Sequence, residues 1–278
     1  MKTTELPIRP YARLLTMLSE QLIKNERVAL LELIKNAYDA DANWVRVCFD
    51  SFNEDMSANN DSRIIVEDDG QGMNPAEIRE SWMNPANPQK YIRKRKGNRT
   101  TSGKKRIVQG EKGIGRFALL KLGSYITVTT RTRDTDFESV LVHDFTEYDS
   151  EFTEEQSESK DIFLDEIRVL YSESSPPQTI QQTHGTKIEI CKTKGVWSMK
   201  AVSRLVKDLS ALTDPISKIA KHETADEFQI IIECNGKQLQ IEDENEEILK
   251  RLKLPRFCGR FTIWDSGCVL EPPFVVYG

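Results

Sequence analysis

Apolar residues recur at helical spacing in two stretches near the start of the chain. In residues 11–24 they are Leu14, Leu15, Leu18 and Leu22. In residues 26–40 they are Val28, Leu31, Ile34 and Tyr38. A period of three to four residues gathers each set on one side of a helix, so the chain is predicted to open with two amphipathic helices.

The pattern then changes to short runs of β-branched and aromatic residues, which favour strands. The predicted strands cover residues 44–49, 64–66, 125–132, 139–146 and 185–191. Asn74 and Pro75 are typical of the cap and first position of a helix, here a short one reaching Trp82. Two further helices are predicted, from Gly110 to Leu122 and over residues 198–220.

Two segments lack this regular pattern. Residues 84–110 include nine Lys or Arg residues between Lys90 and Arg106. Their composition predicts a mobile, basic loop. Residues 147–160 are acidic and rich in Ser, and we expect them to form an exposed insertion.

The last part of the chain has a β pattern of its own. Two apolar runs flank Asn235 and Gly236, which is a good signal for a hairpin, and residues 275–278 again resemble a strand. We therefore expect one domain over residues 1–225 and a β-rich extension over residues 226–278. The extension could be the start of a second domain.

Composition and charge narrow the class of protein. The 278 residues suffice for one large domain, or for a domain and part of another. The net charge is −5, so nucleic-acid binding is possible through a local basic patch but is not indicated by net charge. The chain has no apolar run long enough to span a membrane, and its start lacks the apolar core of a secretion signal. Five scattered cysteines without C-x-x-C spacing favour reduced thiols, and the expected location is cytoplasmic.

The second helix carries the first candidate group, Glu32, Asn36 and Asp39. Spacings of four and three place these side chains on one helix face. An Asn side-chain oxygen can hold magnesium, and a Glu one turn earlier can deprotonate a water molecule near that ion. An ordinary solvated helix face would have the same composition.

The second candidate group follows a strand directly and runs from Asp69 to Met73, with Gly70 and Gly72 between them. The glycines allow the backbone to approach a planar ligand closely. The Asp69 carboxylate can accept a hydrogen bond from an exocyclic amine such as that of adenine. A simple Asp-Gly turn is the alternative interpretation.

The third group is rich in glycine and opens a predicted helix. Its residues are Gly110, Glu111, Lys112, Gly113, Ile114, Gly115, Arg116 and Phe117. Backbone N–H groups at a helix start can bind phosphates, although the sequence differs from a Walker loop and from a dinucleotide-binding fold. The fourth group, Gly185 and Thr186 at the entry to a strand, carries little information alone.

Taken in order, the four groups resemble the nucleotide motifs of the GHKL ATPases, named for gyrase, heat-shock protein 90, histidine kinases and MutL. The resemblance covers roughly residues 10–220. It implies an α+β fold, the two-layer α/β sandwich of the Bergerat type, with a mixed and mostly antiparallel sheet and a mobile lid. Residues 1–225 would be the ATP-binding domain, and residues 84–110 would be its lid. The extension would then be transducer-like.

The resemblance also implies roles for the site residues, with ATP or ADP and Mg²⁺ as cofactors. Asn36 would bind the metal, Asp39 would contact the cofactor, and Asp69 would bind the adenine amino group. Gly72 and Met73 would shape the base pocket, and Thr186 would form a hydrogen bond near the base. The phosphates would be held by Gly110, Glu111, Lys112, Gly113, Ile114, Gly115, Arg116 and Phe117.

Glu32 separates the branches of the superfamily. Histidine kinases typically have Asn at this position, whereas the heat-shock protein 90, MutL and MORC branches share the Glu. Hydrolysis of ATP by water, with Glu32 as the catalytic base, is therefore expected. The leading hypothesis is a conformational switch that dimerises with ATP and acts on an unknown protein partner or client. The alternatives are a non-catalytic nucleotide sensor and an ATPase module of a DNA-repair or defence system.

Overall fold

The computed structural model describes residues 3–85, 100–110, 115, 117–146, 162–210 and 228–239, together with four short strands between residues 257 and 275. Contacts divide the chain into two units, Met1–Leu239 and Gln240–Gly278. The division falls after the predicted boundary at residues 225 and 226. The first unit contains all four candidate groups.

The described part of the first unit is built on one eight-stranded sheet. In chain order the strands are β1 (Trp44–Asp50), β2 (Arg63–Asp68), β3 (Gly123–Arg131), β4 (Glu138–Asp144), β5 (Leu170–Ser174), β6 (Gly185–Thr193), β7 (Gln229–Cys234) and β8 (Lys237–Gln238). Their order across the sheet is β5-β4-β3-β6-β2-β1-β7-β8. Every neighbouring pair is antiparallel except β1 with β7, which is parallel. The predicted mixed, mostly antiparallel sheet is confirmed.

Strands β1 and β2 show why the sheet has two different faces. Val45, Val47 and Phe49 of β1 are fully buried, and the residues between them point to the other side. On that other side Arg46 pairs with Glu67 across the strands. The alternation gives one apolar face, which the helices cover, and one polar face, which carries ion pairs.

The helices of the first unit supply the second layer. They are α1 (Arg13–Leu22), α2 (Glu26–Asp39), the single turn α3 (Pro75–Glu77), α4 (Phe117–Leu122) and α5 (Met199–Ser210). A π-helical turn, Ile78–Trp82, continues α3, and a 3₁₀ turn covers Leu164–Glu166. Buried side chains of α2, α4 and α5 join those of the sheet in one hydrophobic core, which makes the domain a two-layer α+β sandwich. No helix of the described residues is long and apolar enough to cross a membrane.

Several elements differ from their predicted extents. Helix α4 begins at Phe117, not at Gly110, and α5 ends at Ser210 within the described residues. Strand β5 has no counterpart among the predicted strands, because its exposed sequence LYSES lacks an alternating apolar pattern. Residues 147–160 and 211–220 lie outside the described residues.

Strand β7 belongs to the first unit. It was expected to be part of the extension, but it lies beside β1 in the main sheet, with Val47 opposite Ile232. Phe228 and Ile232 bury their side chains in the core, which explains why contacts extend the unit to Leu239. The hairpin predicted at Asn235 and Gly236 joins β7 to β8.

The described strands of the second unit are β9 (Phe257–Cys258), β10 (Phe261–Trp264), β11 (Gly267–Leu270) and β12 (Phe274–Val275). Two antiparallel pairs form, β10 with β11 and β9 with β12.

Candidate nucleotide site

Helix α2 carries the first group of predicted site residues. It begins after Asn25, whose side chain accepts a hydrogen bond from the Val28 N–H at 3.0 Å, a typical helix cap. The side of the helix that faces the sheet buries Ala29, Leu30, Leu33, Ile34 and Ala37. The same burial fixes the rotation of the helix about its axis. Glu32, Asn36 and Asp39 therefore lie along one side of the helix, next to the buried face.

The Glu32 carboxylate is held by a neighbour on the same helix. Lys35 Nζ donates a hydrogen bond to Glu32 Oε1 at 2.9 Å. Both side chains are 28% exposed, so water can reach them. Glu32 is therefore oriented by an ion pair while it remains accessible.

The phosphate motif lies against α2 at two of its described residues. The Gly110 N–H donates to Asp39 Oδ2 at 2.8 Å. At Gly115, an added Cβ would lie 3.1 Å from Asn36 Nδ2, so a side chain there would require the Asn36 amide to shift by a few tenths of an ångström. The remaining predicted residues of this motif, Glu111, Lys112, Gly113, Ile114 and Arg116, lie outside the described residues.

Phe117 differs from Gly110 and Gly115, the other described residues of the motif. It is 6% exposed and is the first residue of α4. Its carbonyl oxygen accepts a hydrogen bond from Ser19 Oγ of α1 at 2.8 Å. In this structure Phe117 therefore joins α4 to α1 through packing and one hydrogen bond.

The turn after β2 passes very close to the end of β3. Gly72 has a φ of +69°, and a Cβ there would lie 2.0 Å from the carbonyl oxygen of Arg131. Both the dihedral and the contact require glycine. The next residue, Met73, donates its N–H to Thr130 Oγ1 at 2.9 Å, which fixes the turn against the sheet.

The two adjacent aspartates at the end of β2 have different surroundings. The Asp69 carboxylate accepts hydrogen bonds from Asn43 N at 2.7 Å, Asn43 Nδ2 at 2.7 Å and Trp44 N at 3.0 Å, and so anchors the start of β1. Asp68 lies on the same face of β2 as the buried Ile64 and Val66. Burial raises the pKa of the Asp68 carboxyl to about 7, against one opposing hydrogen bond from the Gly70 N–H.

Thr186 lies beside Asp68 and not beside Asp69. The register of β2 with β6 pairs Asp68 with Thr186 directly. Thr130 Oγ1 lies 3.1 Å from Thr186 Oγ1 and completes a cluster of two hydroxyls next to the Met73 N–H. The structure thus brings Thr186, Met73 and Gly72 together around Asp68. The sequence prediction named Asp69, whereas the alternation of Ile64, Val66 and Asp68 places Asp68 on the core face of β2.

His184 is a second residue that the sequence did not indicate. Its Nδ1 lies 2.7 Å from the carbonyl oxygen of Gly70, and its Nε2 lies 2.7 Å from Arg133 Nη2. A carbonyl oxygen can only accept, so Nδ1 carries the proton and Nε2 accepts from Arg133. The neutral imidazole therefore holds the Gly70 turn in place.

The predicted lid is described in part, and that part is held in place. Residues 86–99 lie outside the described residues. Residues 100–110, here called the arm, form a bridged hairpin in which Thr100 pairs with Ile107. Hydrogen bonds to Asp39 and Asp41 attach the arm to the end of α2. The arm is therefore attached to the end of α2, and the mobility of residues 84–110 stays a prediction.

An apolar cavity of about 310 Å³ lies elsewhere in the domain. Its walls include Trp82, Phe117, His143 and Phe145. Phe117 is the one predicted site residue among its lining, so the cavity is distinct from the surroundings of Asp68 and Asn36.

The order of these groups along the chain agrees with a comparison against known families. A family described as histidine kinase-, DNA gyrase B-, and HSP90-like ATPase matches residues 24–186. The chain belongs to this family. The match spans all four groups of this GHKL-type ATPase domain and supports ATP or ADP as its ligand. No match to a curated protein was found.

The donors present in this GHKL-type domain suit magnesium bound together with a nucleotide. Among the described residues, no group of three or more His, Cys, Asp or Glu side chains is arranged to hold a metal by itself. Magnesium commonly takes one or two protein oxygens and completes its shell with water and substrate phosphates. Asn36, whose amide faces Gly115 of the phosphate motif, can supply such an oxygen.

Proposed function

We propose that this domain binds ATP with Mg²⁺, hydrolyses it with water and uses the cycle as a conformational switch. The observation that carries the proposal is the meeting of Asn36 and Asp39 of α2 with two described residues of the phosphate motif, Gly110 and Gly115. A metal ligand and a run of main-chain donors are the two components that a triphosphate requires. Membership of the GHKL family supports the same ligand.

The adenine is proposed to bind at Asp68. This carboxyl lies at the buried end of β2 opposite Thr186, where the exocyclic amine of adenine could donate to it. Gly72 and Met73 would shape the wall of the base pocket. Asp69 is proposed to be structural, because its carboxylate already accepts three hydrogen bonds from Asn43 and Trp44.

The phosphates are proposed to lie along the motif from Gly110 to Phe117, with Asn36 supplying an oxygen to the metal. Bound Mg²⁺ would neutralise charge on the phosphate oxygens and orient them for attack. Glu32, one turn before Asn36, would remove a proton from the attacking water. Lys35 would hold the Glu32 carboxylate in position until the substrate is bound.

The ion pair between Glu32 and Lys35 also favours a second candidate function. A carboxylate that stays paired with Lys35 would not act as a base, and the domain would then be a nucleotide sensor without useful hydrolysis. Both functions use the same binding residues. They differ only in whether phosphate is released.

ATP binding by calorimetry and phosphate release distinguish the two functions. We expect the full chain to bind ATP and release phosphate, and Glu32→Ala to keep its ATP affinity while its turnover falls by about 10²–10⁴-fold. Glu20→Ala, a change at an exposed Glu of α1, is the control. Wild-type turnover in Glu32→Ala would remove the base assignment, and ATP binding without phosphate release from the wild type would establish the sensor.

Two neighbouring substitutions test the base pocket. Asp68→Asn should weaken ATP binding strongly, because the amide keeps one acceptor oxygen and replaces the other with a donor. Asp69→Asn should bind ATP at near wild-type affinity, provided that its melting curve shows a folded protein. The reverse result would return the adenine contact to Asp69.

Dimerisation is the step that would couple nucleotide binding to an unknown partner. We expect light scattering on the full chain to show a doubling of mass with a non-hydrolysable ATP analogue and Mg²⁺. A mass that stays monomeric at saturating analogue would remove the dimerising switch and leave the ATPase activity untouched.

A further inference from the structure

We infer that Asp39 and Asp41 are positioning residues, which fasten the arm to the end of α2 and thereby set the start of the phosphate motif. The inference rests on the proposed function and deepens it. It also changes the role of Asp39, for which direct contact with the cofactor is the expectation from sequence.

Asp39 uses both carboxylate oxygens on the arm. The Gln109 N–H donates to its Oδ1 at 2.7 Å, and the Gly110 N–H donates to its Oδ2 at 2.8 Å. Charge-assisted hydrogen bonds of this kind are roughly twice as strong as neutral ones. Asp39 is therefore engaged with the backbone at the first residue of the phosphate motif.

Asp41 fastens the other end of the arm. Its carboxylate accepts from the Thr101 hydroxyl, from the Gly103 N–H at 2.9 Å and from Gln71 Nε2 at 2.9 Å. Asp41 is 9% exposed and has a φ of +59°, so a local backbone distortion aims its carboxylate at the arm. The contact with Gln71 links the same carboxylate to the turn beside Asp68.

Arg106 provides a third attachment of the arm to α2, in addition to those at Asp39 and Asp41. It is 5% exposed, and its guanidinium lies over the rings of Tyr38 and Phe228 at 4.5 and 5.3 Å. Its Nη1 donates to the Tyr38 carbonyl oxygen at 3.2 Å. A cation at the C-terminal end of α2 also interacts favourably with the helix dipole.

These contacts connect the two parts of the proposed phosphate site, which are helix α2 and the phosphate motif. Glu32 and Asn36 lie on α2, and Gly110 begins the motif that would hold the phosphates. Because Asp39 lies on the same helix as Asn36, its two hydrogen bonds fix the distance between the metal ligand and the first amides of the motif. Such pre-organisation should strengthen the binding of the phosphates and leave the binding of the adenine unchanged.

Hydrogen exchange on the full chain without nucleotide tests the attachment directly. In Asp39→Asn, one of the two arm amides faces an NH₂ group in place of an acceptor. Exchange in the peptide containing residues 109 and 110 should become about tenfold faster or more. Asp61→Asn, at an exposed carboxylate of the loop between β1 and β2, is the matched control and should exchange like the wild type. Unchanged exchange in Asp39→Asn would overturn the inference.

A change on the arm side keeps the test independent of the folding of the Asp39 variant. Thr101→Val preserves shape but removes the hydroxyl that donates to Asp41. Exchange over residues 101–107 should become faster, while that of β3 (Gly123–Arg131) should not change. Equal exchange in Thr101→Val and wild type would also contradict the inference.

Binding of ATP and adenosine then separates positioning from general support of the fold. Asp39→Asn should bind ATP about tenfold more weakly or worse and adenosine as the wild type does, because the base contacts are untouched. An equal loss for both ligands would make Asp39 a general structural residue. If the wild type bound neither ligand, the proposed function would fail, while exchange would still decide whether Asp39 and Asp41 hold the arm.

Discussion

At the residue scale, Asp68 illustrates a conflict between function and stability. It lies on the core face of β2, where burial disfavours its charged form and raises its pKa to about 7. The carboxylate form is nevertheless the better acceptor for an exocyclic amine. With Asp68 as the proposed base-binding group, we therefore expect the domain to be less stable than it would be with an uncharged residue at this position.

The first prediction concerns the pH dependence of stability. Between the ordinary pKa of 3.8 and about 7, the folded protein retains a proton at Asp68 that the unfolded chain has lost. The free energy of unfolding therefore falls as pH rises through this window and levels off above it. Asp68→Asn removes the titration and should raise the free energy of unfolding by about 2–4 kcal/mol near pH 8, with little effect near pH 4.

Urea unfolding of both proteins at a series of pH values measures this difference. The control is Asp61→Asn, whose difference from the wild type should be small at every pH. A stabilisation by Asp68→Asn that does not depend on pH would show that Asp68 is ionised in the folded protein across the whole range.

The second prediction concerns two glycines with similar dihedral angles. Gly72 and Gly236 have φ values of +69° and +75°. A Cβ at Gly72 would lie 2.0 Å from the Arg131 carbonyl oxygen, whereas a Cβ at Gly236 would meet no described atom within 4 Å. Gly236→Ala should cost about 1–2 kcal/mol of stability from the dihedral alone, and Gly72→Ala should cost clearly more. Equal free energies of unfolding would mean that the Gly72 turn relaxes away from β3.

At the element scale, α2 holds the candidate site together. The helix carries Glu32 and Asn36, and the arm is held by Asp39 in its last turn and by Asp41 just after its end. Its apolar positions recur at a helical period, so its extent is predicted from sequence to within one residue. Strand β5 is not predicted, because four of its five residues are exposed and no alternating pattern marks it.

The third prediction tests the start of α2. The Asn25 side chain caps the helix through the Val28 N–H. Asn25→Ala should lower the free energy of unfolding by about 1 kcal/mol, whereas Asn25→Ser, which can also cap, should lower it much less. Chemical denaturation of the two variants measures the difference. An equal loss in both would argue that side-chain capping does not stabilise this helix.

At the scale of the whole molecule, β7 decides where the first unit ends. It pairs with β1 and buries Ile232 completely. Along the chain, however, a segment that includes α5 lies between β7 and the preceding strands of the sheet. The periodicity of residues 228–241 predicts a hairpin correctly but does not reveal its partner. Pairing between distant strands is set by how the core closes.

The fourth prediction compares two truncated chains. A chain ending at Leu239 retains β7 and should unfold cooperatively with the ATP affinity of the full chain. A chain ending at Ala225 loses the burial of Phe228 and Ile232 and the hydrogen bonds to β1, and should be less stable by more than about 3 kcal/mol. Thermal melts with and without ATP check both. Equal stability of the two chains would show that β7 is dispensable.

The sequence by itself determined the helices and central strands and the order of the four nucleotide motifs. Those features depend on local periodicity and on single residues, such as Gly72, that few other residue types can replace. The tertiary structure decided which of two adjacent carboxylates lies opposite Thr186, because that depends on the register of β2 against β6, where Asp68 pairs with Thr186. It also decided that Asp39 and Asp41 hold the arm, since those hydrogen bonds join residues about sixty to seventy positions apart in the chain.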